Sequence, residues 1–172
     1  MLDIFYKRRS TRRFTTEKVQ AEKLDRILNA GLLAPSSKGK YPCEFIIIQK
    51  EETIIKLSKS KSQGANFLSN APAAIVICGD IEKSDVWIED CAIAASFMLT
   101  QAEDENIGAC WIQIRKRPHD ENKSAEEYIQ NILGIPANMK VLAILAIGNK
   151  DGDKPAREAD FLKREKIHYD KF

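Results

Sequence analysis

Between Arg8 and Phe14 the chain reads RRSTRRF, four arginines and a serine within six residues. Guanidinium groups this close repel one another unless an anion lies among them. Arginine presents a planar fork of donors that matches phosphate oxygens, and a serine hydroxyl adds a small adaptable donor. The plainer reading of any such run is a solvated basic turn. A second polar segment, APSSKGKYP over residues 34–42, gathers two prolines, two serines, a glycine and two lysines, and reads as an ordered loop.

Protein-based chemistry is hard to assemble from the remaining residues. None of the eight glycines gives G-x-G-x-x-G or G-x-x-x-x-G-K-[ST], so neither a dinucleotide fingerprint nor a P-loop is present. A G-x-S-x-G nucleophile elbow is also missing. His119 and His168 lie in polar loop or tail sequence without metal-ligand spacing. Cys43, Cys78, Cys91 and Cys110 are scattered with no C-x-x-C pair, which argues against a zinc site and a disulfide framework. Cys78 and Cys91 read as buried thiols in a protein of the reducing cytoplasm. An enzyme built from this chain needs a bound cofactor to carry the reaction.

The elements that must position these residues follow from apolar patterning. The length of 172 residues suits a single domain with a real core. Apolar residues at 44% and charged residues at 30% describe an ordinary soluble protein, and a net charge of +2 is small for a dedicated nucleic-acid binder. No apolar run reaches the length of a membrane span, and MLDIFYKRRS lacks the apolar core of a signal peptide. Leu2, Phe5 and Arg9 at helical spacing predict a short helix that delivers the arginine stretch. Leu24, Ile27, Leu28 and Gly31 predict a second helix ending near Leu33, before Pro35. Short apolar runs at 45–48, 73–78, 109–112 and 141–147 read as buried strands, with helices over 51–60 and over 124–133. Ser124 and Glu127 form a capping box at the start of the latter, and Gly134 closes it.

Residues 86–106 predict the longest helix, apolar nearly all round, with Gly108 as its stop. Two readings stand for its outer face: a partner subunit covers it, or it is the core helix of a monomer. The element order predicts an α+β domain over residues 1–147, a mixed sheet flanked by helices. From Gly148 to Phe172 the chain turns charged and ends IHYDKF, a segment either disordered or draped over another surface.

RRSTRRF, APSSKGKYPCEFIII, WIEDCAIAASFML, NIGACWIQ and the closing IHYDKF, in this order, resemble the nitroreductase family of FMN-dependent oxidoreductases. The resemblance spans nearly the whole chain. It implies a nitroreductase-like fold working as an intertwined homodimer, with two FMN sites at the interface and the 148–172 extension wrapped around the partner. By motif, Arg8, Arg9, Ser10 and Arg12 would hold the FMN phosphate and ribityl chain. Pro35, Ser36, Ser37 and Gly39 would line the flavin from the other subunit. Trp111, Ile112, Gln113 and Ile114 would lie along the ring, with the Gln113 amide near N5, and Lys154 and Arg157 would add phosphate contacts.

The resemblance further implies two half-reactions at one site. NADH or NADPH reduces the flavin and leaves, and an electron-poor acceptor such as a nitroaromatic or quinone takes its place. A donor that visits needs no dinucleotide fingerprint. Three charge-assisted phosphate contacts supply about 5–9 kcal/mol, whereas nanomolar retention needs roughly 12. Burial of the ring between subunits must contribute the rest. Two departures from the family pattern, Tyr41-Pro42-Cys43 after the serine loop and Gln113 where a glycine is common, fall near the substrate side. A rival reading makes Arg8–Arg13 and Arg115–Arg117 an anionic-ligand or nucleic-acid patch, and a third keeps the fold with a narrower dehydrogenase or dehalogenase task.

Overall fold

Two apolar strands form the centre of the computed structural model, which describes residues 2–172. They are β2 (Ala73–Asp80) and β4 (Met139–Asn149), buried along almost their full length because helices cover both faces of the sheet. The edge strands are β1 (Cys43–Ile48) and β3 (Ile107–Gln113). The order is β1-β2-β4-β3.

Every neighbouring pair in this sheet is antiparallel, which corrects the expectation of a mixed sheet. Connection lengths explain the outcome. Helix α3 (Glu51–Ser58) spans only about 12 Å at 1.5 Å per residue and packs against the turn Asn66–Asn70, so β2 starts at the sheet end where β1 stops. Helix α4 (Trp87–Asp104) is long enough, about 27 Å, to cross the sheet. It returns β3 in the same direction as β2, Ala73 and Ala109 both lying opposite Ile147. The last strand, β4, then inserts between these two and runs against both. Among the described residues the one parallel contact is the bridge from Ser10 to Ala109.

One face of the sheet packs Val76, Cys110, Ile112, Ile144 and Ala146 against α3 and α5 (Ala125–Leu133). The other packs Ile75, Ile77, Leu145 and Ile147 against α2 (Ala21–Leu32) and α4. The Ser124–Glu127 capping box forms in both directions, and Gly134 closes α5 in the left-handed region at φ 66°. No helix of the described residues is long and apolar enough to cross a membrane.

Gly108 does not stop α4, as its position implied. The helix ends at Asp104, Asn106 makes the left-handed turn at φ 55°, and Gly108 lies inside β3 opposite Gly148. The reason is close approach. A Cβ on Gly108 would sit 2.7 Å from Thr11 Cγ2, and one on Gly148 would sit 2.8 Å from Phe14 Cδ1. This glycine pair lets the arginine stretch lie across the end of the β3–β4 ladder, where Thr11 N donates to Ala109 O at 3.0 Å and Thr15 N to Asn149 O at 3.0 Å.

Helix α1 (Leu2–Lys7) buries no residue, and Leu2 and Phe5 are exposed. On α4, Cys91, Ala95, Met98 and Ala102 are sealed, while Ile93 and Phe97 are 39% and 44% exposed. Beyond β4 the tail makes two short 3-10 turns and exposes Phe161, Leu162, Ile167, Tyr169 and Phe172.

Candidate functional site

The arginine stretch enters as an irregular segment after α1 and is pinned to β3 by the Ser10–Ala109 bridge. Around Cys110, buried in β3, the side chains of Arg8, Ser10, Arg12 and Lys154 converge. Burial raises the Cys110 thiol above its ordinary value, while these four neighbours oppose that rise. The tail brings Lys154 and Arg157 here through three tethers. Lys154 Nζ donates to Ser10 O at 2.8 Å, Arg157 N to Tyr6 O at 2.9 Å, and Arg9 Nη1 to Pro155 O at 2.7 Å.

Arg8 is the telling member. It is half-buried, and its affinity for the proton is lowered by desolvation first and by the nearby Arg157 charge second. Glu103, whose charge acts in the opposite direction on Arg8, is committed to Lys150 at 2.9 Å. Among the described residues no carboxylate comes within salt-bridge distance of Arg8, Arg12 or Arg157. Such a set is stabilised by an anion with several oxygens, which fits a phosphate monoester. Arg12 lies 5.7 Å from the Phe67 ring centroid, and Arg157 4.1 Å from that of Phe161. Arg13, the fourth arginine, turns outward and pairs with Asp151 at 2.9 Å. Arg9 reaches the tail backbone through Nη1, a bond that leaves its other N–H donors uncommitted.

The serine loop is organised by a residue that sequence reading passed over, Asp90 in the first turn of α4. The residue is 3% exposed. It accepts from Ser37 N at 2.9 Å, from Ser36 Oγ at 3.1 Å and from Ser84 Oγ at 3.4 Å. Ser36 Oγ in turn accepts from Tyr41 N at 2.9 Å. The Ser36 hydroxyl is therefore spent inside the loop, whereas Pro35 and Gly39 stay exposed and Ser37 is half-buried. Lys38, Gly39 and Tyr41 hold φ of 53°, 63° and 45°. Two non-glycine residues in the left-handed region are strain that the Asp90 contacts sustain. The available signal was an acidic residue within WIEDCAIAASFML, an apolar helix whose buried side has no other charge.

On β3, Trp111 and Gln113 face the α2–α4 side and are half-buried, while Ile112 and Ile114 are sealed in the opposite core at 1% and 0% exposure. Only backbone of these two isoleucines is left for a ligand. The Gln113 side chain is closed on itself: Oε1 accepts from Trp111 Nε1 at 3.0 Å and Nε2 donates to Arg115 O at 3.0 Å. It fixes the indole plane.

Within one chain the two polar centres stand apart. The serine loop is tied to Asp90 and the arginine cluster lies near Glu103, thirteen residues further along α4, or about 20 Å. A cleft of about 800 Å³ lined by Arg12, Phe14, Ile54 and Pro72 opens at one end, and a hollow of about 40 Å³ lined by Pro35, Ser36, Tyr41 and Cys43 at the other. Neither joins the serine loop to the arginines.

Comparison with known proteins places this geometry in context. The model of the Nitroreductase family matches residues 6–67 and 59–149. A solved structure of an FMN-dependent nitroreductase from Clostridium difficile R20291 superposes with a TM-score of 0.98 at 46% identity, covering 100% of both chains. A relative from Archaeoglobus fulgidus, provisionally named NADH dehydrogenase/NAD(P)H nitroreductase, is 33% identical over 99% of this chain and 98% of its own. An FMN reductase [NAD(P)H] from Bacillus subtilis is 33% identical over 82 residues, 48% of this chain and 32% of its own.

Proposed function

Because the chain belongs to the nitroreductase family, we propose that it is an FMN-dependent oxidoreductase acting as a cytoplasmic homodimer. Bound there, FMN would supply two-electron redox chemistry between NADH or NADPH and an electron-poor acceptor such as a nitroaromatic or quinone. The observation that carries the reading is the convergence of Arg8, Ser10, Arg12, Lys154 and Arg157 without a carboxylate partner among the described residues. These five hold the phosphate end of the cofactor. Pro35, Ser37 and Gly39 cover its ring from the partner subunit, and Ser36 shapes that loop through Asp90. Trp111 and the β3 backbone up to Ile114 would line the ring, with the indole held by the Gln113 side chain.

Two chains are needed because the serine loop and the arginine cluster lie at opposite ends of α4. A two-fold arrangement that pairs α4 with its copy brings the loop of one chain to the cluster of the other. Exposed Ile93 and Phe97 on α4 and the apolar tail residues from Phe161 to Phe172 support such a partner. All four cysteines are free thiols, in keeping with a reducing compartment. The acceptor enters where the donor leaves, so initial rates should give parallel double-reciprocal lines, and intersecting lines would count against the shared site. Sedimentation should give a dimer when flavin is bound; a flavin-loaded monomer would overturn the two-chain site.

A further inference from the structure

The flavin reading leaves one reactive pair unused. Cys43, the first residue of β1, and Cys91, the fifth residue of α4, place their sulfurs 3.2 Å apart. They meet above Gly79, which lies opposite Cys43 in the β1–β2 ladder. A Cβ on Gly79 would come within 3.0 Å of Cys91 Sγ, so the bare backbone there makes the room in which the pair meets. The bond length of a disulfide is about 2.05 Å, so roughly 1 Å of closure separates the two thiols from a covalent bridge.

We propose that Cys43 and Cys91 are a peroxide-responsive dithiol that closes to an intramolecular disulfide and staples the serine loop to α4. The two thiols are unequal, as an attacking and a resolving cysteine must be. Cys43 is half-buried and lines the hollow under the serine loop beside Pro35, Ser36 and Tyr41. Cys91 is fully buried, its single S–H within reach of Cys43 Sγ at 3.2 Å and of Cys78 O at 3.3 Å. The hydrogen bond from Cys91 draws the Cys43 thiol below its ordinary value, and the same bond, with burial, pushes Cys91 up.

The chemistry balances with hydrogen peroxide as the two-electron oxidant. Cys43 thiolate attacks one peroxide oxygen, the O–O bond breaks, and the departing hydroxide takes a proton to leave water and Cys43 sulfenic acid. Cys91 sulfur then attacks the Cys43 sulfur. The S–O bond breaks, and the proton from Cys91 goes with the leaving hydroxide as a second water. Two thiols and one peroxide yield one disulfide and two waters. Cys78 and Cys110 stand outside the reaction, sealed at 1% exposure each. Asp90, one residue before Cys91, already holds Ser36 and Ser37. The bridge at Cys43 therefore ties the other end of the Pro35–Pro42 loop to the same helical turn. This pairing stands whether or not the flavin reading holds.

The test is peptide mapping of the reduced, desalted protein before and after hydrogen peroxide, with alkylation of remaining thiols under denaturing conditions. Trypsin releases Cys43 on Tyr41–Lys50 but leaves Cys91 and Cys110 together on Ser84–Arg115, so cleavage after Glu103 or Glu105 separates them. The expected result is loss of two alkylatable thiols of four, a Cys43–Cys91 linked peptide within one chain, and recovery by dithiothreitol. Native trypsin should also cut at Lys38 and Lys40 more slowly in the oxidised protein. Cys91→Ser should leave Cys43 without a resolving thiol, and peroxide should then carry it to the sulfinic acid. Retention of all four thiols, or sulfinic acid on Cys43 in the unsubstituted protein, would overturn the proposal. So would a bridge between two chains, and the map of the unsubstituted protein decides this even if the variant fails to fold.

Discussion

Replacing Asp90 by alanine tests how the serine loop is held. The substitution removes a carboxylate that accepts from Ser37 N at 2.9 Å, Ser36 Oγ at 3.1 Å and Ser84 Oγ at 3.4 Å. Hydrogen bonds to a charged acceptor contribute about 1.5–3 kcal/mol each, and the third is near the limit of useful length. Two effective bonds give roughly 3–6 kcal/mol, offset in part because the loop can open and rehydrate its donors. Asp90 has no cation within salt-bridge distance among the described residues, so these donors alone compensate its burial. We expect a net loss of about 2–4 kcal/mol for Asp90→Ala, read from urea unfolding by circular dichroism. Asp90→Asn keeps the shape, and its oxygen can still accept from Ser37 N, so about 1 kcal/mol is expected. Trypsin should cut Lys38 and Lys40 faster in the alanine variant, as the left-handed turn relaxes. If Asp90→Ala matches the unsubstituted protein in midpoint and in loop cleavage, the carboxylate does not organise the loop. A gain in stability would show that desolvation of the charge outweighs its hydrogen bonds.

Arg8→Ala and Arg12→Ala should each weaken FMN binding by roughly 10- to 150-fold, from about 1.5–3 kcal/mol per charge-assisted bond. Fluorescence titration measures this with the fold intact by circular dichroism, and unchanged affinity in both variants would remove the phosphate assignment. Glu127 lies below the ordinary glutamate range, first because the Ser124 hydroxyl and then because the Ser124 backbone N–H donates to it. A depressed folded value means its contribution is complete above the unfolded value of about 4.3 and disappears as pH falls through the lower folded value. The difference in urea midpoint between the unsubstituted protein and Glu127→Gln should therefore shrink on acidification through that window. A constant difference would place the effect of Glu127 outside its charge.

The five α-helices and four strands of the described residues were legible in the sequence because each carries a local signal. The runs at Ala73–Cys78 and Val141–Ile147 are too apolar for anything but central strands, and the Ser124–Glu127 box and Gly134 mark both ends of α5. The neighbour relations were not legible. That β4 inserts between β2 and β3, converting a mixed sheet into an antiparallel one, is a long-range pairing with no local mark. Gly108 illustrates the same limit: at the end of a helical pattern it looks like a stop, but its purpose is to admit Thr11, almost a hundred residues earlier.

In the candidate site, residue types were legible and their hydrogen-bond commitments were not. The RRSTRRF run pointed to an anion, and Arg8, Ser10 and Arg12 do converge on one place. The Ser36 hydroxyl is spent on Asp90 and one N–H of Arg9 on Pro155 O, partners far away in sequence. Asp90 and the Cys43–Cys91 pair went unseen for the same reason: each acquires its meaning only when α4 packs beside β1 and the loop before it.

The proposed role of Arg8, Arg12, Lys154 and Arg157, which have no carboxylate partner among the described residues, is to hold the phosphate of FMN. The absorbance spectrum of the purified protein, taken anaerobically before and after adding NADH or NADPH, tests it most directly. The expected result is a yellow protein with one flavin per chain that bleaches on reduction. A colourless protein that takes up no added FMN would contradict it.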